Sequence, residues 1–472
     1  MSEIARSPSP NVLNALRAVT GPKGVFEGDA AAPFLSERRG RWAGEAGLIL
    51  APATTEEVAK IVALCAEARV AITPQGGNTG LVGGQMPIGG EILLSLKRMA
   101  RIREIDPLNN TMTVDAGVVL AAAQDAARDA GRFFPLSIGS EGTCQIGGVL
   151  STNAGGVNVL RYGSARQQVL GLEAVLPNGS VWNGLRKLRK DNTGYDLKQL
   201  LVGAEGTLGI ITGAVLKLYP STVQTTTAFV GVPSADAAVE LLSYAQGETG
   251  GAASSFELIS RQSLDLVVQY IPGARDPLRA SHPWYVLAEF SSGAGGALRE
   301  QTEDMLAGAM EKGMVVDAAI AENEKQAGDF WRMRHSISEA INHVGLGARH
   351  DVSVATSAIP AFLERADAAV RELAPGARIV AFGHVGDGNV HYDIAPAEGA
   401  AKNALDNLRD DIERAVYDVI AEFSGSISAE HGVGQHKRSA IAAQKSDTEM
   451  TAMRAIKSAL DPLGIMNPGK VL

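Results

Sequence analysis

The sequence predicts an α+β fold in two main domains, with a short helical C-terminal segment. Three observations predict it. Up to residue 220, short apolar runs and helical patterns are joined by glycine-dense connections. After Pro220 the texture changes to helices alternating with strands and few glycines, the pattern of a separate layered α+β unit. From 426 onward the chain reads as a short helical tail ending Asn467-Pro468-Gly469-Lys470. The expected boundaries are therefore 1–220, 221–425 and 426–472.

Taken in order, residues 51–70 open with Thr54-Thr55-Glu56-Glu57, a cap followed by an acidic first turn. They continue with Val58, Ile61, Val62, Leu64 and Cys65 at helical spacing. Apolar runs at 70–73, 92–95 and 111–114 read as strands, and 119–130 as a helix. Between 176 and 219 the pattern is strand, loop, strand. In the second part, helices are expected over 234–246, 297–312, 322–345, 360–373 and 401–423. Strands are expected over 283–290, 314–320, 351–356, 378–384 and 389–394. No internal repeat or low-complexity tract is visible.

A chain of 472 residues with 45% apolar and 20% charged residues is an ordinary globular protein with ample material for a core. Its net charge of −9 argues against a nucleic-acid partner, which wants a basic face. An anionic small molecule stays compatible, since a local positive pocket can sit in an acidic protein. The two cysteines, Cys65 and Cys144, make no disulfide framework and read as small buried residues. The N-terminal stretch Met-Ser-Glu-Ile-Ala-Arg-Ser-Pro lacks an apolar signal region. No uncharged apolar run reaches the roughly 18 residues of a membrane span. A cytoplasmic location without a membrane span is the expectation.

Residues 381–394 hold two of the eight histidines around Gly-Asp-Gly. Asp387-Gly388 is a two-residue type I′ hairpin signal. Closed that way, His384 opposes His391 on one face, with Cβ atoms roughly 4.5–5.5 Å apart. That is half of a metal site, or a hairpin that merely contains histidines.

Three glycine loops each abut a strand. Residues 74–84 read Pro-Gln-Gly-Gly-Asn-Thr-Gly-Leu-Val-Gly-Gly, and successive N–H groups there can form an anion-binding nest. The loop is neither a P-loop nor a Rossmann fingerprint, because Gly-Lys-Ser/Thr and G-x-G-x-x-G are both missing. The second spans 135–156 and the third 194–211. Several backbone contacts within about 140 residues suit a long extended ligand, and a dinucleotide has that shape.

On the stretches GGNTGLVGG, GTCQIGGVLSTNAGG and GYDLKQLLVGAEGTLGIIT, residues 42–220 resemble the FAD-binding domain of the vanillyl-alcohol oxidase / p-cresol methylhydroxylase superfamily. With its second half, nearly the whole chain resembles the D-2-hydroxyglutarate dehydrogenase / D-lactate dehydrogenase branch. The resemblance implies a two-part FAD-binding domain, then a substrate (cap) domain with an antiparallel sheet. It implies that Pro74, Gly76, Gly77, Asn78, Thr79, Gly80 and Leu81 embrace the FAD pyrophosphate. It further implies FAD contacts from Pro135, Gly139, Ser140, Gly142, Thr143, Gly147, Gly148, Ser151 and Asn153. Glu205, Gly206, Gly209 and Ile211 complete the set, and Asn467 closes over the flavin. Some relatives tether the flavin through a histidine in the first loop. Here that loop has Asn78 and no histidine, so noncovalent FAD is expected.

Ser428-Ala429-Glu430-His431-Gly432-Val433-Gly434 offers the hairpin a third ligand. The glycines permit a tight turn that aims Glu430 and His431 inward. Two imidazoles and a carboxylate leave open coordination positions, as a catalytic metal needs. The donor set suits Zn²⁺ first, with Mn²⁺, Fe²⁺ or Co²⁺ as alternatives. GHVGDGNVH and SAEHGVG also resemble the branch's motifs, which implies His384, His391 and Glu430 as ligands and His431 as the catalytic base. The implied reaction oxidises a D-2-hydroxy acid, D-2-hydroxyglutarate or D-lactate-like, to the 2-oxo acid. The hydride goes to flavin N5 and the hydroxyl proton to His431.

Trp331, Arg334 and Ser338 recur along one face of the expected helix 322–345. Arg334 and Ser338 can together hold one carboxylate, and Arg349 supplies a second cation. The runs 331–338 and 349–353 also resemble the branch's substrate-anchoring segments. One departure is Asp393, where relatives that bind D-2-hydroxyglutarate tend to carry an amide. Facing the substrate it repels a second carboxylate; otherwise it orients a metal-ligating histidine. The implied partners are a 2-hydroxy acid, an electron acceptor such as an electron-transfer flavoprotein or quinone, and a second copy in a homodimer. Two other classes compete: a His₂Glu metal hydrolase, and a non-catalytic flavin subunit of a glycolate-oxidase-like complex.

Overall fold

The computed structural model describes residues 8–37 and 40–472. The N-terminal stretch read for a signal lies mostly outside them. Packing divides the chain into two units. The first comprises Met1–Ala154, Ser164–Ser221 and His431–Leu472; the second comprises Gly155–Gly163 and Thr222–Glu430. The last of the four crossings between the units thus falls on the Glu430–His431 peptide bond. The short segment Gly155–Gly163, inside the expected first domain, belongs with the second unit. There Arg161 Nη1 donates to Ser291 Oγ at 2.7 Å.

The first unit holds two sheets. One orders Val25–Phe26, Glu45–Leu50, Ile88–Ser95 and Ile72–Gln75, with the last three strands parallel. The other is antiparallel: Ile102–Asp106, Thr111–Asp115, Ile210–Lys217, Val169–Val175 and Val181–Gly184. The helix expected at 51–70 spans Thr55–Ala68. The Thr54 side chain accepts from Glu57 N, and Val58, Ile61, Val62 and Cys65 are buried. They join one continuous apolar core with Leu50, Ile92, Met112 and Ile465. Cys65 and Cys144 are free and buried.

The second unit is built on a seven-stranded antiparallel sheet. Its order is Asp317–Ile320, Gln224–Val232, Trp284–Ser292, Ala253–Ser260, Arg378–His384, Asn389–Ala395 and Ala348–Ser353. Two strands of that sheet, Gln224–Val232 and Ala253–Ser260, have no counterpart in the sequence reading. Both are buried on both faces over most of their length, so they lack the alternation that signals a strand. Helices Arg261–Tyr270, Glu324–His335 and Ile337–Asn342 bury Leu264, Phe330, Met333 and Ile337 against Ile259, Val380 and Phe382. On the other face Tyr392 packs against Phe362 and donates to Asp367 Oδ1 at 2.8 Å.

Two expected helices are shorter than their patterns. The run expected at 322–345 breaks at Ser336, whose ψ of −6° ends Glu324–His335; Ser338 emerges exposed on Ile337–Asn342. The run expected at 401–423 begins only at Arg409. The hairpin also differs. Phe382, not His384, lies opposite His391. The loop runs over residues 385–388, and of the Asp-Gly pair only Gly388 takes positive φ, at 88°. Outside contacts hold that loop open: Gly386 N–H donates to Phe256 O, and Val354 N–H donates to Gly388 O. The register is offset by two residues, not one, so both histidines keep the same face.

Candidate functional site

In the first unit the three glycine loops are stitched to one another. A Cβ on Gly77 would lie 2.1 Å from Thr143 O, so the first loop touches the second in backbone contact. The third meets the second through Glu205 N–H to Ser151 O at 2.8 Å and Gly203 N–H to Leu150 O at 3.0 Å. Asn467 fastens the C-terminal segment over both ends. Its Nδ2 donates to Gly84 O at 2.9 Å and Glu205 O at 2.8 Å, and its N–H donates to Ile72 O. Asn78 Nδ2 donates to Pro33 O and Ser36 O. Asn153 Oδ1 accepts from Ser164 Oγ and Arg166 N. Asn78, Asn153, Glu205 and Asn467 are all left-handed non-glycine residues, with φ of 54°, 51°, 51° and 44°. Such conformations persist only where surroundings over-determine them, and they cluster at functional sites.

This cradle fits a phosphate-bearing cofactor. The N–H groups of residues 76–81 donate to no backbone carbonyl among the described residues. Gly139 and Gly142 border open space, with no atom within 4 Å of a would-be Cβ. Buried Gln145 Oε1 and Asn467 Oδ1 have no hydrogen-bond partner among the described residues. Gly147, Gly148, Gly206, Gly209 and Ile211 line or support the same loops; Ile211 is buried in the strand Ile210–Lys217. The turn after His431 belongs here too. The Glu205 carboxylate accepts from Val433 N at 2.7 Å and Gly434 N at 2.9 Å. Burial raises its pKa, against the pull of those two N–H groups and Lys437.

In the second unit, donor atoms of His384, His391 and Glu430 lie within 4.8 Å of one another. His384 Nε2 is 3.7 Å from Glu430 Oε1, and His391 Nε2 is 4.0 Å from Glu430 Oε2. Both imidazoles turn Nδ1 toward a second carboxylate. For His384 this is Glu257 Oε1 at 2.7 Å, and for His391 it is Asp351 Oδ1 at 3.8 Å. Asp351 Oδ2 also accepts the Glu430 N–H at 2.9 Å. Negative charge is in excess around the two rings. Burial disfavours the His384 imidazolium, yet Glu257 and Glu430 raise its pKa to about 9. Glu430 itself is pushed up by burial and by Asp351, Asp387 and Glu257, against His384. Burial likewise raises Asp387 to about 6. The donor set and this charge fit a divalent cation.

The anchor candidates are held by acids. Arg334 is buried; its Nε and Nη2 both sit 2.9 Å from Glu257 Oε2. Arg349 Nε is 3.2 Å from Asp393 Oδ2, directly across the sheet. Asp393 therefore faces a cation, and the carboxylate beside His391 Nδ1 is Asp351. Trp331 Nε1 donates to Glu289 Oε2 at 2.9 Å. Sequence reasoning missed Glu257 and Asp351. Asp351 could have been found, standing two residues from Arg349 in an expected strand; Glu257 lies in a strand with no pattern of its own.

Residues 223–471 match the family described as "FAD linked oxidases, C-terminal domain", and residues 46–184 match "FAD binding domain". The chain is 36% identical to D-2-hydroxyglutarate–pyruvate transhydrogenase of Saccharomyces cerevisiae, over 100% of this chain and 97% of that one. It is 39% identical to the mitochondrial D-2-hydroxyglutarate dehydrogenase of Arabidopsis thaliana, over 92% and 76%. It is 37% identical to a putative mitochondrial D-lactate dehydrogenase of Schizosaccharomyces pombe, over 91% and 82%. The structure of p-cresol methylhydroxylase with substrate bound superposes with a TM-score of 0.76 at 19% identity, covering 98% of this chain and 96% of that one. Among the described residues no helix is long and apolar enough to cross a membrane. A cradle of three interlocked glycine loops, two matched domains and relatives aligned along the whole chain lead to one statement: this protein belongs to the FAD-linked oxidase family.

Proposed function

We propose that the chain oxidises a D-2-hydroxy acid to the 2-oxo acid, with noncovalent FAD and a divalent metal held by His384, His391 and Glu430. The observation that carries the metal part is the convergence of those three donors, each histidine backed by a carboxylate, in a family that binds FAD. When bound, FAD supplies a hydride acceptor and the divalent ion supplies Lewis acidity toward oxygen. The chain's own residues do the rest. The N–H groups of residues 76–81 hold the pyrophosphate, and Asn467 closes the cradle. His431, joined by one peptide bond to Glu430, accepts the substrate hydroxyl proton at a ring nitrogen. An imidazole, with an ordinary pKa of about 6.5, suits that role near neutrality. Of the residues nominated to hold the substrate carboxylate, Arg349 shares the sheet face of the metal donors and is carried into this reading. The electrons pass on to an electron-transfer flavoprotein or a quinone.

The test is anaerobic bleaching of the visible flavin absorbance by D-lactate, D-2-hydroxyglutarate and D-malate, with the L-enantiomers as controls. Bleaching is expected with a D-acid only. Chelation should abolish it, and His431→Ala should slow it by the ~10²–10⁴ typical of a lost general base. Bleaching that survives both treatments overturns the site; no bleaching with any acid favours a non-catalytic flavin subunit.

A further inference from the structure

We infer that Glu257 is a positioning residue for the metal: its buried carboxylate locks the His384 imidazole so that Nε2 presents its lone pair beside Glu430. The inference rests on the metal-site reading above. Glu257 lies in Ala253–Ser260, directly across the sheet from His384, and its side chain is fully buried. Its two oxygens divide their work. Oε2 accepts from Arg334 Nε and lies 2.9 Å from Nη2 in an ion pair, while Oε1 sits 2.7 Å from His384 Nδ1. An ionised carboxylate only accepts, so Nδ1 keeps its proton, and Nε2 is the nitrogen that gives up its own proton to become the donor when a cation binds.

Arg334 supplies the counter-charge that lets a bare carboxylate persist there. Its guanidinium also sits over the Phe382 ring, 4.8 Å from the centroid, which fixes it from the other side. Burial alone disfavours a charged Glu257, and the guanidinium 2.9 Å from Oε2 offsets that cost. The chain Arg334–Glu257–His384 is thus a rigid support reaching from the helix Glu324–His335 to the metal donors. Partners of this kind orient a ligating ring and typically tune metal affinity by about 10–100-fold. A plain buried ion pair between Glu257 and Arg334 would instead leave metal affinity untouched when both charges are removed together.

The experiment titrates Zn²⁺ into FAD-loaded, metal-stripped protein against a competing chelating dye. The proteins are wild type, Glu257→Gln, the double variant Glu257→Gln/Arg334→Met, and His391→Ala. The double variant avoids leaving Arg334 buried and unpaired, which could unfold the single one. Folding is checked by the flavin spectrum and thermal midpoint. Both Glu257 variants should bind Zn²⁺ about 10–100-fold more weakly than wild type. A folded double variant within twofold of wild type overturns the inference while His391→Ala still loses the metal. If His391→Ala binds Zn²⁺ as wild type does, the metal-site reading itself has failed. The unmodified protein gives a second readout: with Cd²⁺ bound, nitrogen–cadmium coupling should appear at His384 Nε2. Coupling at Nδ1 overturns the inference without any variant.

Discussion

Glu205→Gln isolates the contact that ties the turn after His431 to the third flavin loop. The wild-type carboxylate accepts two backbone N–H groups, Val433 at 2.7 Å and Gly434 at 2.9 Å, and the residue is buried. Glutamine has nearly the same shape but only one acceptor oxygen. Its amide nitrogen would face a second donor at hydrogen-bond distance. A buried donor left unsatisfied costs about 1–3 kcal/mol. The gain from removing a carboxylate that burial disfavours offsets part of this, so a net loss of about 1–2 kcal/mol is expected. At about 2–4 °C per kcal/mol for a domain of roughly 150–250 residues, the midpoint should fall by about 2–8 °C. The assay is thermal release of flavin fluorescence, with hydrogen exchange read at Val433 and Gly434. The pH dependence carries a sign as well. Because the folded pKa of Glu205 is raised, the folded state binds its proton more tightly than the unfolded chain. This carboxylate's contribution to stability is therefore greatest below the ordinary carboxylate range and falls as pH rises through that range toward the folded value. The glutamine variant should lack that slope. An unchanged midpoint together with unchanged exchange at both amides would refute the reasoning.

Two further outcomes follow from the same unit. Gly77→Ala places a methyl where Thr143 O now stands, 2.1 Å away, so the first two loops must part. Overpacking of this kind costs about 1–3 kcal/mol, and the purified variant should retain less FAD per chain than wild type; full occupancy with an unshifted midpoint would contradict it. Lys470 is buried, and its pKa is lowered to about 8, chiefly by desolvation and with Arg438 adding to it against Glu91. The folded state therefore holds this proton less tightly than the unfolded chain, and stability should rise as pH climbs from about 8 toward the ordinary lysine value of about 10.4. Lys470→Met should flatten that rise and add at most about 3 kcal/mol at neutral pH; chemical denaturation at a series of pH values measures both.

The legibility of the sequence followed the range of the interactions involved. Local periodicity and caps were enough for Thr55–Ala68, for Leu298–Glu311 and for the paired strands around His384 and His391. The hairpin's face survived even though its register did not. Side-chain direction has a period of two, and the loop shifted the pairing by two. Register itself depended on Phe256 and Val354, far away in sequence, which bond the loop and stop it from closing as a two-residue turn. The break at Ser336 is similarly invisible, since Phe330, Met333, Ile337 and Ile341 keep one helical spacing across it.

The sequence by itself determined the chemistry on offer: the glycine loops, the two histidines, and the Glu-His pair that follows them. Each of these is a local choice of residue type, readable wherever backbone freedom or donor atoms are confined to a few adjacent positions. Only the tertiary structure decided how charge is compensated around them. Arg334 turned to Glu257, Glu257 to His384, Arg349 to Asp393 and Asp351 to both His391 and Glu430. A buried charge takes whichever opposite charge the fold brings within about 4 Å, and chain spacing does not encode that distance when the partners stand on different strands.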